Sequence, residues 1–230
     1  MIESAASAQQ DAGSATRPAT GAGTSQAVSR IIRRHEYRRM PWSNGAGWTS
    51  EILRVPAADD WQWRLSIAEV DVAAPFSSLP GIDRELVLLT GNGMRLSFED
   101  GQTCELQPPH DGLRFAGERK LVGEPIDGPS SDFNLMWKRD AIDAELWRRP
   151  LTGTVVLFVE PGETWVVHLL AGQGRFADDT GLGGIVAGDT AILASNGEMR
   201  GRYALDATGE ALVARLRDKR EPQSGSSDSG

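Results

Sequence analysis

Short apolar runs bounded by glycine, proline or aspartate recur along the middle of the chain. The clearest runs, rich in Val, Leu, Trp and Phe, are residues 86–89, 154–159, 164–170 and 211–216. Such runs between turn-forming residues are typical of β-strands. Residues 51–55 and 62–68 alternate in part between apolar and polar positions, which predicts strands with one buried face. Only one short helix is predicted, around residues 140–145.

A weak internal repeat runs through these predicted strands. Residues 89–96 resemble residues 170–176, and residues 113–118 resemble residues 192–198, at nearly the same offset. Both members of the first pair read as strand, Gly-x-Gly turn, strand. Glu160-Pro-Gly-Glu163 and Gly188-Asp189 also suit the turns of a double-stranded barrel of the cupin type. Two copies of one β unit are therefore indicated, with chance similarity of glycine turns as the alternative.

The predicted fold is all-β: a bicupin, with two double-stranded β-barrel (jelly-roll) units in one chain. The first unit covers residues 31–149 and the second covers residues 150–217. Residues 1–30 contain few large apolar side chains. Such a segment cannot bury enough surface to offset the entropy lost on ordering, so a disordered tail is predicted there. Residues 218–230 are predicted to form a second disordered tail.

Composition narrows the classes of function. The chain has 24 Lys and Arg against 32 Asp and Glu, a net charge of −8. This balance argues against nucleic-acid and acidic-membrane partners, because phosphate binding needs a basic surface. No apolar run approaches the roughly 20 residues that span a bilayer. The N-terminal segment has no apolar core of signal-peptide length, which predicts a cytoplasmic location.

Metal sites and known catalytic motifs find little support in the sequence. The single cysteine, Cys104, excludes a zinc site built on several cysteines. His35, His110 and His168 are far apart and unpaired, and a lone histidine in an apolar strand such as His168 is typical of a core residue. No nucleophile elbow, P-loop or dinucleotide fingerprint is present. We therefore predict no metal, no cofactor and no catalytic residue.

The richest stretch for a ligand site is Met40-Pro-Trp-Ser-Asn-Gly-Ala-Gly-Trp-Thr-Ser-Glu-Ile52. Its Asn-Gly pair favours a turn with unusual backbone angles. Aromatic walls with a few polar groups are what a ligand pocket needs, so Trp42 and Asn44 are candidates. The alternative is an ordinary loop that leads into a strand.

A second candidate region is the predicted strand at residues 63–68. Alternation places Arg64 and Ser66 on one face, opposite Trp63, Leu65 and Ile67. If the polar face is enclosed, Arg64 is a buried cation that needs an anionic partner, either a ligand or a carboxylate. If it faces solvent, Arg64 is a surface residue.

Two further segments supply the remaining candidates. Asp132 and Asn134 share a face, and apolar residues at 133, 135 and 137 occupy the other, as in a central strand. If buried, these polar groups must be hydrogen-bonded, either as a structural network or as a pocket floor. In the turn-rich segment 74–86, Asp83 and Arg84 taken alone suggest surface charges. Arg84 is nevertheless a second candidate cation.

Five sequence blocks resemble the HutD/Ves family in their order and spacing. They are Pro41-Trp-Ser-Asn-Gly-Ala-Gly-Trp-Thr-Ser-Glu-Ile52, Trp63-Arg-Leu-Ser-Ile-Ala68, Pro75-Phe-Ser77 with Pro80-Gly-Ile-Asp-Arg84, Leu88-Leu-Thr-Gly-Asn-Gly-Met-Arg-Leu96, and Asp127-Gly-Pro129 with Asp132-Phe-Asn-Leu-Met136. The resemblance implies a bicupin fold in a bacterial, cytoplasmic protein. Family members accompany histidine-utilisation enzymes or are described as stress-induced. Ser43 stands where many members are expected to have Lys.

The resemblance implies that the chain binds a small acidic metabolite and so limits a pathway. In this hypothesis Arg64 pairs with the carboxylate, assisted by Asn44 and Ser66, with Arg84 as a second cation. Trp42 forms a wall of the pocket, and Asp132 and Asn134 fix the orientation of the ligand. A second hypothesis is a metal-free enzyme acting on a small amide or imidazole-derived acid, with Asp132 or Glu51 as general base. A third is a structural or interaction protein. A homodimer is left open.

Overall fold

The computed structural model describes residues 27–195 and 197–219, which form β-strands and two 3₁₀ helices. The strands are β1 Arg30–Ile32, β2 Arg38–Pro41, β3 Gly47–Val55, β4 Trp63–Val70, β5 Ala74–Pro75, β6 Ile82–Thr90, β7 Met94–Phe98, β8 Thr103–Leu106, β9 Gly112–Ala116, β10 Leu121–Pro125, β11 Ser130–Lys138, β12 Ile142–Val159, β13 Glu163–Phe176, β14 Gly184–Val186, β15 Thr190–Ala194 and β16 Gly201–Asp218. The 3₁₀ helices cover Arg34–Glu36 and Asp178–Thr180. All strands pair antiparallel, which confirms the predicted all-β class.

The strands form three sheets. The central sheet has the order β2-β3-β4-β11-β6-β9, and the small sheet has the order β5-β10-β7-β8. The C-terminal sheet has the order β1-β15-β13-β16-β12, with β14 added to β13. The apolar runs that the sequence assigns to strands lie in β3, β4, β6, β12, β13 and β16, so those predictions are confirmed.

The central sheet is covered on both faces. One apolar cluster, including Leu86, Leu96 and Phe115, joins its inner face to the small sheet. Another cluster joins its other face to the C-terminal sheet through residues such as Leu135 and Val166. Removal of this much apolar surface from water is the main stabilising contribution to such a fold. The predicted central strand at residues 130–138 is therefore confirmed, because β11 buries side chains on both faces.

The predicted short helix at residues 140–145 is wrong. Residues 140–141 form a turn, and β12 begins at Ile142. Ile142 and Ala144 are each 1% exposed, whereas Asp143 is exposed, which is the period-two pattern of a strand. Antiparallel pairing of this segment with β16 outweighs the helix propensity of its alanine and glutamate residues.

The ends of the predicted units differ from the sheet boundaries. Strand β12 runs straight through the boundary predicted between residues 149 and 150. Strand β1, at the start of the predicted first unit, pairs with β15 in the C-terminal sheet. The strands reach one residue into each predicted tail, because β1 begins at Arg30 and β16 ends at Asp218. The rest of both predicted tails lies outside the described residues.

The two Gly-x-Gly segments of the predicted repeat have different structures. The first lies between β6 and β7, as predicted, and Gly91 has a φ of 104°. The second is not a turn, because it lies within β13 where the register with β16 shifts between Leu169 and Ala171. Gly172 has a φ of 85° at this bulge, which favours glycine. The predicted turns at residues 160–163 and 188–189 do connect strands, with Glu163 as the first residue of β13.

Candidate functional site

Six of the seven predicted site residues line one cavity of about 590 Å³, here called the arginine cavity. They are Trp42, Asn44, Arg64, Ser66, Arg84 and Asn134. The seventh, Asp132, is hydrogen-bonded to Asn134 and does not line the cavity. The structure therefore brings together residues that are up to 92 positions apart in the sequence, from 42 to 134.

The register of the central sheet places the two cavity arginines. Strand β11 lies between β4 and β6, and Met136 pairs with Arg64 on one side and with Arg84 on the other. Residues in register across antiparallel strands project from the same face. Both arginines therefore face the arginine cavity, two strand spacings or about 10 Å apart at their Cα atoms.

Arg84 is a buried cation, with only 5% of its surface exposed. Its Nη2 donates a hydrogen bond of 2.7 Å to Asn134 Oδ1, and its guanidinium lies 5.4 Å from the Phe76 ring centroid. Burial lowers the pKa of Arg84 to about 10; Asp132 opposes this shift and Arg64 adds to it. Among the described residues Arg84 makes no ion pair.

The interpretation of Arg84 alone as a surface charge is wrong, because β6 turns it towards the enclosed face of the central sheet. Its neighbour Asp83 points the other way and forms an ion pair of 2.7 Å with Arg139. Alternation along the strand separates the two charges, so an Asp-Arg dipeptide gives one outer and one inner residue.

Asn134 connects Arg84 to a buried carboxyl group. Its Nδ2 donates to Asp132 Oδ1, while its Oδ1 accepts from Arg84. Asp132 is fully buried, and its Oδ2 has no hydrogen-bond partner among residues 27–195 and 197–219. Burial raises the pKa of Asp132 to about 7, although Arg84 and the Asn134 amide act in the opposite direction. The predicted hydrogen-bonded network is thus present, with the amide as a neutral bridge between two ionisable groups.

Arg64 has a carboxylate partner within the chain. Its Nε lies 2.8 Å from Glu51 Oε2 on the neighbouring strand β3, without the alignment of a hydrogen bond. Glu51 also lies 3.6 Å from Arg54. The Arg64 side chain is 21% exposed and lines the cavity, whereas Ser66 is buried beside it. The sequence predicts either a ligand or a carboxylate of the chain as the anionic partner of Arg64, and the structure shows the carboxylate of Glu51.

The loop at residues 42–47 forms one wall of the arginine cavity. Trp42 Nε1 donates to Thr49 Oγ1 at 2.8 Å, and its ring meets Phe76 edge-on at 5.9 Å. Asn44 Oδ1 accepts from the backbone of Ala46 at 3.1 Å, which leaves the amide NH₂ group for other contacts. The predicted turn is present, with Gly45 at a φ of 70°.

Sequence reasoning missed another part of the wall. Pro75, Phe76, Ser77 and Leu79 also line the cavity. The signal was available, because Pro75-Phe-Ser77 is among the blocks that resemble the family. No hydrophobic period marks this segment, since β5 has only two residues, and so its inward direction could not be derived from the pattern.

Of the histidines, His168 lies in the core as predicted, 3% exposed, with Nδ1 2.9 Å from Thr190 Oγ1. Within the described ranges, no group of three or more His, Cys, Asp or Glu side chains is arranged to hold a metal ion. No helix in the same ranges is long and apolar enough to cross a membrane.

Solved structures with little sequence similarity show the fold class. The nickel(II) complex of the bacterial pirin YhhW from Escherichia coli has 8% identity and a TM-score of 0.61, and covers 83% of this chain and 98% of its own. The E. coli protein Ylba has 12% identity and a TM-score of 0.62, and covers 84% of this chain and 92% of its own. These likenesses define an antiparallel β protein of the cupin-like class.

More similar proteins identify the family. The HutD family model matches residues 34–213, and the chain belongs to the HutD family. The structure of HutD from Pseudomonas fluorescens SBW25 has 27% identity and a TM-score of 0.71, and covers 84% of this chain and all of that chain. An uncharacterised 21.2 kDa protein in the hutC 3' region of Pseudomonas putida is 38% identical over half of this chain and 62% of its own length. Protein Ves from Cronobacter sakazakii is 37% identical over 48% of this chain and 63% of its own length.

Proposed function

We propose that this chain binds a small carboxylate metabolite in the arginine cavity, without a metal ion, and that binding rather than turnover is its role. The observation that carries the proposal is Arg84, a buried guanidinium that hydrogen-bonds a neutral amide and has no ion pair in the described part of the chain. Burial of a cation that makes no ion pair is costly, so an anionic ligand there is favoured.

The charge balance of the cavity supports an anion. Arg64 is matched by Glu51, so the charge that remains is that of Arg84 against Asp132. Because burial raises the pKa of Asp132 to about 7, that carboxyl is only partly ionised near neutral pH. The site therefore carries excess positive charge, which a bound carboxylate would neutralise through charge-assisted hydrogen bonds.

The rest of the cavity suits a small polar molecule. Its volume of about 590 Å³ falls within the range of small-molecule sites. Trp42 and Phe76 supply flat apolar walls, and Ser66 and the Asn44 amide supply neutral polar groups. A planar or short-chain acid could place its carboxylate at Arg84 or Arg64 and its apolar part against the rings.

The relatives suggest a biological setting for this binding. One relative is encoded beside hutC, and a structural relative is named HutD. We extend this setting to the chain and propose a cytoplasmic, bacterial protein that regulates histidine utilisation through a bound intermediate. Other relatives are named Ves. Because the family resemblance implies that some members are stress-induced, a role in a stress response is the alternative form of this proposal.

We also propose that the fold is a bicupin. The arginine cavity belongs to the first barrel, between the central and small sheets, whose shared core contains Met94 and Leu96. The second barrel would be the C-terminal sheet curved around its own core, which contains Phe176 and Leu205. The family membership and the cupin-like neighbours support this division.

A thermal-shift screen with and without EDTA tests the ligand proposal. The probes are urocanate, formimidoylglutamate, formylglutamate, glutamate, formate and histidine. A ligand at about 100 times its Kd adds about 2.7 kcal/mol, which raises the Tm by several degrees in a domain of this size. We expect a saturable shift with at least one acid that survives EDTA.

Matched variants locate the binding. Arg84→Met and Arg64→Ala should each abolish the shift, whereas Arg95→Ala should retain it, because Arg95 is an exposed β7 residue paired with Glu105 and Glu124. A shift that persists in both cavity variants would contradict the proposal. Absence of a shift with every probe would instead favour the interaction-protein hypothesis.

A metal-free enzyme is the second candidate, favoured by the pKa of Asp132 near 7, which suits a general base. Its position is less favourable, because Asp132 is fully buried and does not line the cavity. Consumption of a probe acid, followed by NMR and abolished by Asp132→Asn or Glu51→Gln, would establish catalysis. Persistence of the unreacted acid supports a binding protein.

A further inference from the structure

A second cavity, of about 550 Å³, lies on the opposite face of the central sheet from the arginine cavity. It is here called the histidine cavity, because His168 and His110 both line it. Along β4 the lining alternates: Ser66 and Ala68 face the arginine cavity, whereas Ile67 and Glu69 line the histidine cavity. The opposite wall comes from the C-terminal sheet and from Arg34.

The hydrogen bonds around His168 fix its tautomer. The Tyr37 hydroxyl donates to the carbonyl of Gly188 at 2.6 Å, so its single proton is used there. In the 2.7 Å contact between Tyr37 and Thr190, the Thr190 hydroxyl must therefore donate. Thr190 Oγ1 is then the acceptor for His168 Nδ1–H at 2.9 Å.

His168 consequently presents Nε2 to the cavity as a hydrogen-bond acceptor. Burial, together with the nearby charge of Arg34, lowers the pKa of His168 to about 4, so the ring is neutral near pH 7. A tilted contact with the Phe133 ring, with centroids 5.2 Å apart and an interplanar angle of 31°, holds the imidazole in place. A fixed acceptor that lines the cavity is available to an N–H or O–H donor of a bound molecule.

The cavity also carries separated, unmatched charges. Neither Arg34 nor Asp71 has an ion pair in the described part of the chain, and both line the cavity. Arg34 is close enough for its charge to act on His168. Glu69, by contrast, is already paired with Arg39 at 2.6 Å.

We propose that the histidine cavity binds a free α-amino acid. The ammonium group would donate to His168 Nε2 and face Asp71, while the carboxylate would pair with Arg34. The apolar side chains of Leu89 and Leu170 line the same cavity and would contact the ligand's side chain. A carboxylate without an ammonium group would offer His168 Nε2 no hydrogen-bond donor, and an amine without a carboxylate would offer Arg34 no anion.

The test begins with the twenty L-amino acids, added singly to the full chain in a thermal-shift assay. For any amino acid that binds, two analogues follow: the amine without the carboxylate and the acid without the ammonium. We expect both analogues to bind at least about tenfold more weakly, because each loses one charge-assisted contact. Equal binding of either analogue would overturn the zwitterion assignment.

Variants then place the ligand. Arg34→Gln and Asp71→Asn change exposed residues and should each weaken binding about tenfold, and His168→Phe should abolish it while it preserves the ring contact with Phe133. Glutamate and histidine are also probes of the arginine cavity, so they are set aside here. For every other amino acid that binds, Arg64→Ala should leave binding unchanged, which separates this site from the proposed carboxylate site. Binding lost in Arg64→Ala but retained in Arg34→Gln and Asp71→Asn would overturn the inference, as would no binding by any of the twenty.

Discussion

Arg64 and Arg84 project from the same face of the central sheet on either side of β11, each in register with Met136. Of the two, only Arg64 forms an ion pair with a carboxylate in the described part of the chain, at 2.8 Å. Arg84 is instead connected through Asn134 to Asp132, a carboxyl whose pKa burial raises to about 7. The two arginines therefore differ in their electrostatic environment: Arg64 belongs to an ion pair, whereas Arg84 faces a buried carboxyl through a neutral amide.

Removal of the bridging amide should be strongly destabilising. We expect Asn134→Leu to lower the free energy of unfolding by about 3–5 kcal/mol, because it leaves Arg84 and Asp132 buried without partners. The triple variant Arg84→Met, Asp132→Leu, Asn134→Leu should recover most of that loss, since apolar residues replace the whole network. Urea denaturation of the two variants and the parent chain measures both effects. A triple variant as unstable as the single one would show that packing, and not unpaired polarity, causes the loss.

Asp132 should make stability fall as the pH rises. Its pKa rises from 3.8 to about 7 on folding, so the folded state retains a proton that the unfolded chain has released in this window. The native state is therefore disfavoured progressively between about pH 4 and pH 7, by up to about 4 kcal/mol. Asp132→Asn removes this titration, and its stability relative to the parent chain should increase over the same window. A pH-independent difference between the two proteins would refute the assignment.

Titration of His168 should make stability rise with pH, the opposite of the effect of Asp132. Its pKa falls from 6.5 to about 4 on folding, so the unfolded chain binds a proton that the folded state does not. Stability from this group is fully present above pH 6.5 and is lost as the pH falls towards 4. His168→Gln should be relatively more stable at pH 4.5 than at pH 7.5, as measured by chemical denaturation at both values. The exposed His35→Gln serves as the control and should follow the parent chain.

The bulge in β13 should tolerate no side chain. A Cβ at Gly172 would lie 1.9 Å from the carbonyl oxygen of Thr208, and its φ of +85° adds strain. Gly172→Ala should therefore cost well above the roughly 1–2 kcal/mol of positive-φ strain alone. Gly181→Ala is the matched control, since Gly181 has a φ of +69° with nothing within 4 Å. Similar losses in Tm for the two variants would contradict the steric explanation.

Much of the fold could be predicted from local pattern. Runs of Val, Leu and Trp between turn residues marked the long strands, and alternation correctly placed Arg64 and Ser66 on one face. The error at residues 140–145 arose because helix propensity is a weak signal and pairing with β16 is a tertiary one. The unit boundary predicted between residues 149 and 150 falls inside β12. This strand pairs without interruption over 18 residues, and the sequence shows no change of composition that would reveal its continuity.

The sequence predicted which residues belong to the candidate site better than it predicted which side chains contact one another there. Buried polar groups on β11 implied a network, but their partners depend on strand register, which no local pattern fixes. Arg84 resembled a surface charge because its environment comes from Phe76 and Phe115, on other strands and loops. The histidine cavity could not be predicted from the pattern of apolar and polar residues, because its walls come from two sheets that meet only in the folded chain.

The alternation along β4 limits how this chain can change length. Its even-numbered residues Ser66 and Ala68 line one cavity, and its odd-numbered residues Ile67 and Glu69 line the other. Insertion or deletion of one residue in this strand would exchange the two sets and disrupt both cavities at once. A change of two residues would preserve the alternation. Viable length variants of this strand should therefore differ by even numbers, and odd changes should be confined to the loops on either side.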